Sequence, residues 1–216
     1  LSWPTRKLLE HLHTHAADTS EKEKLAAQLS PENAEHLQKS FEHRFPVDFL
    51  REFPSAKISA QELIDSLKKL NPRLYSISSS SVLEPTRISL TVNIARCTSC
   101  GCERMGTCST FLADRLTVGQ KAPVFVADAP FALTPDDNAP IIMVGPGTGI
   151  APFRAFLAER AARRAAGKNW LFFGDRRRAY DFLYEDEILA HQSSGLLTRL
   201  ELAWSRDADP KIYVQD

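Results

Sequence analysis

The stretch Ile141-Ile142-Met143-Val144-Gly145-Pro146-Gly147-Thr148-Gly149-Ile150-Ala151-Pro152-Phe153-Arg154 constrains this chain more than any other part of it. A β-branched run stops at a Gly-rich turn and passes directly into an Ala/Arg-rich helical stretch. Strand, tight turn and helix in that order gather exposed backbone N–H groups and a helix N-terminus in one place. Such a place attracts phosphate, because unpaired amides and the positive end of the macrodipole both favour an anion. Pro152 suits the first helical turn, where its missing N–H costs nothing. The spacing is Gly-x-Gly-x-Gly, not the Gly-x-Gly-x-x-Gly fingerprint of the doubly wound dinucleotide fold. Alone, the segment also reads as an ordinary strand-to-helix loop.

The chain has 216 residues, 43% hydrophobic and 25% charged, enough apolar material for one large or two small cores. Lys+Arg and Asp+Glu both number 27, so no global field argues for nucleic acid or an acidic membrane surface. Apolar runs fall far short of the ~20 residues of a spanning helix, and no signal peptide is visible. The first residue is Leu, and Tyr213-Val214-Gln215-Asp216 reads as the middle of a motif, so a piece of a longer protein is expected.

Residues 1–70 read as helical. Ser20-x-x-Glu23 and Ser59-x-x-Glu62 have the capping-box pattern. Leu63, Ile64, Leu67 and Leu70 then fall on one helical face. Pro31 marks a further helix start, and Pro46 and Pro54 bracket a short segment. Residues 71–138 turn to Ser, Thr and Val. Arg87–Ile94 alternates at strand period, and Val124–Ala127 is a second strand candidate. Residues 139–216 alternate strand and helix: Ile141–Val144, a helix after Pro152, Trp170–Phe173, a helix near Glu185–Ala190, then Thr198–Ala203. That rhythm predicts a parallel sheet with crossover helices.

Two further segments flank the Gly-rich turn: Arg73-Leu74-Tyr75-Ser76-Ile77-Ser78-Ser79-Ser80, and Ser205-Arg206-Asp207 with Lys211-Ile212-Tyr213-Val214-Gln215. With Phe153–Leu157, Trp170–Asp175, Asp181–Tyr184 and Leu202–Asp207, they make the chain resemble the diflavin reductases, the NADPH–FAD relatives of ferredoxin–NADP reductase. The wording is most similar to the branch that serves assimilatory sulfite reduction. The resemblance is dense from about Ser59 to Asp216 and thin before it. It implies an incomplete antiparallel FAD-binding barrel over 71–138, a helical connecting insert over 1–70, and a C-terminally truncated parallel-sheet α/β NADP-binding domain over 139–216.

A flavin needs a flat wall for its ring and cations or amides for its pyrophosphate. Strand alternation sends Arg73 and Tyr75 to one face, a cation beside an aromatic. The resemblance assigns Arg73 to FAD phosphate, Tyr75 to the isoalloxazine face and Ser76 to the vicinity of flavin N5, with Ser76 the catalytic candidate and Leu74 beside them. It assigns Thr91, Val92 and Asn93 to the next FAD contact, and Gly106, Thr107, Cys108 and Ser109 to a pyrophosphate loop entering a short helix. On the nicotinamide side it places Gly147 and Thr148 under the NADPH pyrophosphate. Ser205, Arg206, Lys211, Tyr213 and Gln215 are assigned to the adenosine 2′-phosphate, and Ile212 and Val214 between them to the same cofactor site. A dianion suits guanidinium, ammonium and hydroxyl donors together, which predicts NADPH over NADH. Arg176 is a further phosphate candidate, whereas Arg177 and Arg178 read as surface.

Cys97, Cys100, Cys102 and Cys108 are spaced C-x2-C-x-C-x5-C, which matches no standard zinc or iron–sulfur site. Reduced loop thiols or a redox-sensitive pair are expected instead, and no metal site is assigned. Relatives often carry Tyr where this chain has Cys97. His11, His13 and His15 scatter around a helix axis, and Arg160, Arg163 and Arg164 read as a solvated helix face.

The resemblance therefore implies a cytoplasmic NADPH:flavin oxidoreductase module with FAD and NADPH as cofactors. FMN would sit on a domain absent from this chain, and a haem-containing sulfite reductase subunit would be the partner, with no nucleic acid or membrane. A cytochrome P450 reductase-like enzyme with another acceptor is the alternative, as is an inactive truncated fragment.

Overall fold

The computed structural model describes residues 3–129 and 131–216. It divides into two compact units interleaved in sequence: the N-terminal stretch to Arg73 with Ile94–Val118, and Leu74–Asn93 with Gly119–Asp216. Each unit holds its own apolar cluster.

In the first unit, helices α1 (Arg6–His15), α2 (Thr19–Leu29), α3 (Ala34–His43), α4 (Pro46–Glu52) and α5 (Ala60–Ser66) enclose Leu8, Leu9, Leu12, Leu25, Phe49 and Phe53. Pro sits in the first turn both of α4 and of the 3₁₀ turn Pro31–Asn33 that leads into α3, as its fixed φ favours. Around α5 the capping box forms as expected, with Ser59 Oγ accepting from Glu62 N and Glu62 accepting from Ser59 N. The other box does not form. Helix α2 starts two residues earlier, and Asp18 caps it by accepting from Glu21 N at 2.9 Å, because a carboxylate at the N-cap satisfies an orphan amide as a hydroxyl does. Helix α5 also ends at Ser66, so Leu67 and Leu70 lie past it and Ile64 faces solvent. Thr5 explains the early stop. Its hydroxyl caps α1 and donates to the Ser66 carbonyl at 2.7 Å, so an end of α5 is satisfied by another helix.

A hairpin, β1 (Arg96–Ser99) and β2 (Cys102–Met105), pairs antiparallel in this unit with Ser99 opposite Cys102. Cys100 and Gly101 form its two-residue loop, both at positive φ (50° and 69°), as hairpin twist requires. A short helix α6 (Thr107–Thr110) follows and relaxes into a π turn over Phe111–Arg115.

The second unit carries a three-stranded parallel sheet in the order β3 (Ile141–Val144), β4 (Asn169–Asp175), β5 (Arg199–Trp204). Helices α7 (Ala151–Arg163), α8 (Arg178–Asp181) and α9 (Glu185–Ser193) connect it. Met143, Leu171, Phe173, Ile150, Leu157 and Ile188 form its core. The architecture is thus an α/β parallel sheet plus a small separate antiparallel sheet, and no closed barrel forms among the described residues.

Three expectations are corrected here. Arg87–Ile94 makes a single antiparallel bridge, Leu90 to Ile77, rather than a strand. Val124–Ala127 forms no strand and joins no ladder, and Val124, Phe125 and Val126 stay 86%, 62% and 69% exposed. Alternation marks an extended backbone, but a ladder also needs a partner. Arg160 is not solvated: it is fully buried, and its Nη2 donates to the carbonyls of Gly167 (2.8 Å) and Ala139 (3.1 Å). Arg164 is the left-handed C-cap of α7, and Arg163 pairs with Glu159. No helix among the described residues is long and apolar enough to cross a membrane.

Candidate functional site

In the second unit, all three parallel strands end at one edge, and the Gly-rich turn leaves β3 there. Gly145 N extends the ladder to Phe172 O at 2.9 Å. A Cβ on Gly145 would come within 2.7 Å of the Phe153 ring and 2.8 Å of Gly149 O, so only glycine lets the chain fold back so tightly. Gly147 adopts φ 54°, and a 3₁₀ turn over Gly147–Ile150 runs into α7. The amides that open a helix lack carbonyls ahead of them, which is the anion-binding arrangement read from the sequence.

Beside that turn lies a cavity of about 360 Å³, lined by Gly147, Arg176, Ser205, Tyr213 and Gln215, with Ile212 and Val214 on its wall. Val214 packs so closely on Gly174 that a Cβ there would approach it to 2.7 Å. Ser205 is held in place by Asp175, whose carbonyl accepts from Ser205 N (2.9 Å) and Ser205 Oγ (3.2 Å). Arg206 N donates to the Arg176 carbonyl at 2.8 Å, which sets the two cations on neighbouring strand ends. Arg206 and Lys211 are exposed and outside the lining, and Thr148 is exposed on the turn. The structure therefore gathers Gly147, Arg176, Ser205 and residues 212–215 around one space. Pro146, Gly174, Asp175 and Ala203 also line it. In the sequence, Gly174-Asp175 stands out only as part of the family resemblance. Its position at the end of a buried strand was the signal that could have placed it at the site.

The flavin candidates of this unit lie on two extended stretches. Ser78 N donates to Ser89 O at 2.8 Å, and Ser89 N to Ser79 Oγ at 2.9 Å, beside the Ile77–Leu90 bridge. Tyr75 is half-buried, while Leu74 and Ser76 are exposed. Thr91 and Val92 are half-buried and Asn93 is exposed, with Thr91 Oγ1 2.7 Å from the Tyr184 hydroxyl.

In the first unit, Arg73 is exposed and its Nη1 donates to the Asn71 carbonyl at 2.9 Å. Gly106 caps α6, and its amide donates to Ala95 O at 2.8 Å. Ser109 is buried, and its hydroxyl accepts from Ala95 N at 3.1 Å, so that oxygen braces the loop from inside. Thr107 and Cys108 complete the short helix. The four cysteines are free thiols, and Cys102 Sγ accepts from Arg51 at 3.0 Å. Among the described residues, no three His, Cys, Asp or Glu side chains cluster as metal ligands would. Cys97 lines a second cavity of about 290 Å³ with Arg96, Glu103 and Arg104.

Comparison with known proteins covers most of the chain. The FAD binding domain family matches residues 1–111, and the oxidoreductase NAD-binding domain family matches residues 143–216. The chain is similar to three proteins named sulfite reductase [NADPH] flavoprotein alpha-component. That of Bacillus subtilis is 42% identical over 98% of this chain, that of Vibrio vulnificus 51% over 78%, and that of Photorhabdus laumondii 48% over 82%. The chain spans only 34%, 27% and 30% of those relatives' lengths, about a third.

Proposed function

This chain belongs to the FAD-binding domain family, joined to an oxidoreductase NAD-binding domain, and on that premise we propose that it is the NADPH- and FAD-binding module of a sulfite reductase flavoprotein. The observation that carries the reading is the cavity at the strand ends, where Gly147, Arg176, Ser205, Tyr213 and Gln215 converge. Its donors are amide, guanidinium, hydroxyl and phenol, the set that suits a nucleotide phosphate. Gly147 leaves room for a pyrophosphate to approach the backbone. Arg206 and Lys211 would pair with the 2′-phosphate, and without it their charges would have no anion to meet. When bound, NADPH supplies a hydride and FAD accepts it.

The chain's own residues bind and orient. Tyr75 would face the flavin ring, Ser76 would donate its hydroxyl near the reacting nitrogen, and Thr91, Val92 and Asn93 would hold the opposite edge. Arg73 and the Gly106–Ser109 loop would take the FAD pyrophosphate. An incomplete FAD-binding barrel, a cytoplasmic setting, an FMN domain and a haem-containing sulfite-reducing partner belong to the same reading. Of these, only a sulfite-reducing partner draws support from the name of the relatives.

Anaerobic titration with FAD and then NADPH tests it. Bleaching of flavin absorbance by NADPH and not by NADH is the expected result. FAD binding without bleaching would refute the hydride-transfer role.

A further inference from the structure

Arg154, in the first turn of α7, has no counterpart in the cofactor assignments, yet it joins three separate segments of the second unit, its own helix among them. Its Nη1 donates to the Ser78 carbonyl at 2.8 Å. Its Nε and Nη2 both lie 3.0 Å from Glu187 Oε2 on α9. Its guanidinium carbon stands 4.6 Å from the centroid of the Tyr184 ring, and the Tyr184 hydroxyl meets Thr91 Oγ1 at 2.7 Å. Tyr184 is held at φ 60°, a conformation disfavoured for a bulky residue. The fold thus accepts local strain at the position whose ring lies against Arg154 and whose hydroxyl holds Thr91.

We infer that Arg154 is a positioning residue for hydride transfer. The inference rests on the proposed function, since Ser76 and Thr91 matter only if a flavin lies there. Arg154 follows the Gly-rich turn within the same helical start. Through Ser78 it fixes the extended stretch that carries Ser76, and through Tyr184 it fixes the stretch that carries Thr91. Ser76 lies two residues before Ser78 on the stretch that the Ile77–Leu90 bridge anchors, so a shift at Ser78 carries Ser76 with it. One planar guanidinium makes these contacts at once, whereas an ammonium is a point charge without the fork. The effect belongs to geometry at the reacting centre rather than to coenzyme affinity, because Arg154 does not line the nucleotide cavity.

The test uses the flavin-loaded holoprotein and stopped-flow reduction by NADPH, with the rate counted per bound FAD and repeated with deuterated coenzyme. Arg154→Met is expected to slow hydride transfer roughly 10–100-fold, the scale of an ångström-sized misplacement. The NADPH dissociation constant should stay within about twofold, the pattern of a transition-state loss. Arg154→Lys should recover part of the rate. Tyr184→Phe removes one hydroxyl and should slow the step while leaving FAD bound; it decides the matter if Arg154→Met does not fold. Unchanged rates per bound FAD in the variants that fold would overturn the inference and leave Arg154 a stabilising contact only. A wild-type holoprotein that NADPH does not bleach would instead overturn the function itself, and this inference with it.

Discussion

Arg206 and His191 carry the two predictions that belong to single side chains. Arg206 is exposed beside the cavity, with its amide tied to Arg176. Arg206→Ala should raise KM for NADPH roughly 10–100-fold, the worth of one charge-assisted bond, and leave NADH kinetics nearly unchanged. Steady-state kinetics with both coenzymes measures it, and equal losses for the two would count against a 2′-phosphate role. At His191, burial chiefly pushes the imidazole below its ordinary value of 6.5; the Glu187 carboxylate opposes this and the Arg154 guanidinium adds to it. The unfolded chain therefore takes up this proton at a higher pH than the folded chain does. This contribution is full above about 6.5 and is lost as pH falls through that value toward the lower folded-state pKa. Urea midpoints across that window should drop for the wild type, and the drop should be shallower in His191→Gln.

At the scale of elements, α5 and the α7–β4 connection make opposite demands on their charged groups. The Ser59 capping contacts, led by the Ser59 amide, hold Glu62 well below the carboxylate range, at about 2. The resulting stability is present above the ordinary value of 4.5 and is lost as pH falls from there toward 2. Ser59→Ala should cost about 1 kcal/mol near neutral pH, read from chemical denaturation. Glu62→Gln should flatten the acid limb. Arg160 is the reverse case, a buried cation whose partners are main-chain carbonyls just before β3 and just before β4. Arg160→Met would strip the Ala139 carbonyl of this donor and leave Gly167 O only its longer 3.3 Å bond from Asn169 Nδ2, for a loss of about 1–3 kcal/mol. Gly167→Ala should also destabilise, since a Cβ there meets Arg160 Nη2 at 2.5 Å. The Ser59 box was legible because a cap is a local contract between residues three apart. Arg160 was not, because its carbonyl partners lie outside its helix, on the segments before β3 and β4, and side-chain type alone favours solvent.

For the whole molecule, the two apolar clusters are separate in composition and in sequence. Phe49→Ala should cost about 3–5 kcal/mol in the first unit. Hydrogen exchange should then show protection lost over α1–α4 and kept over β3–β5. The sequence by itself determined the strand–turn–helix at Ile141–Arg163, the strand–helix alternation after it, the Ser59 cap and the residue types suited to a nucleotide. Each of those follows from steric and hydrogen-bonding rules that act between neighbours in the chain. Tertiary structure alone decided that Gly147, Arg176, Ser205 and residues 212–215 share one cavity, and that Arg154 reaches Ser78 and Tyr184. It also decided that Val124–Ala127 stays without a ladder. Those outcomes depend on which distant segments meet, and burial and pairing are properties of the meeting rather than of either segment.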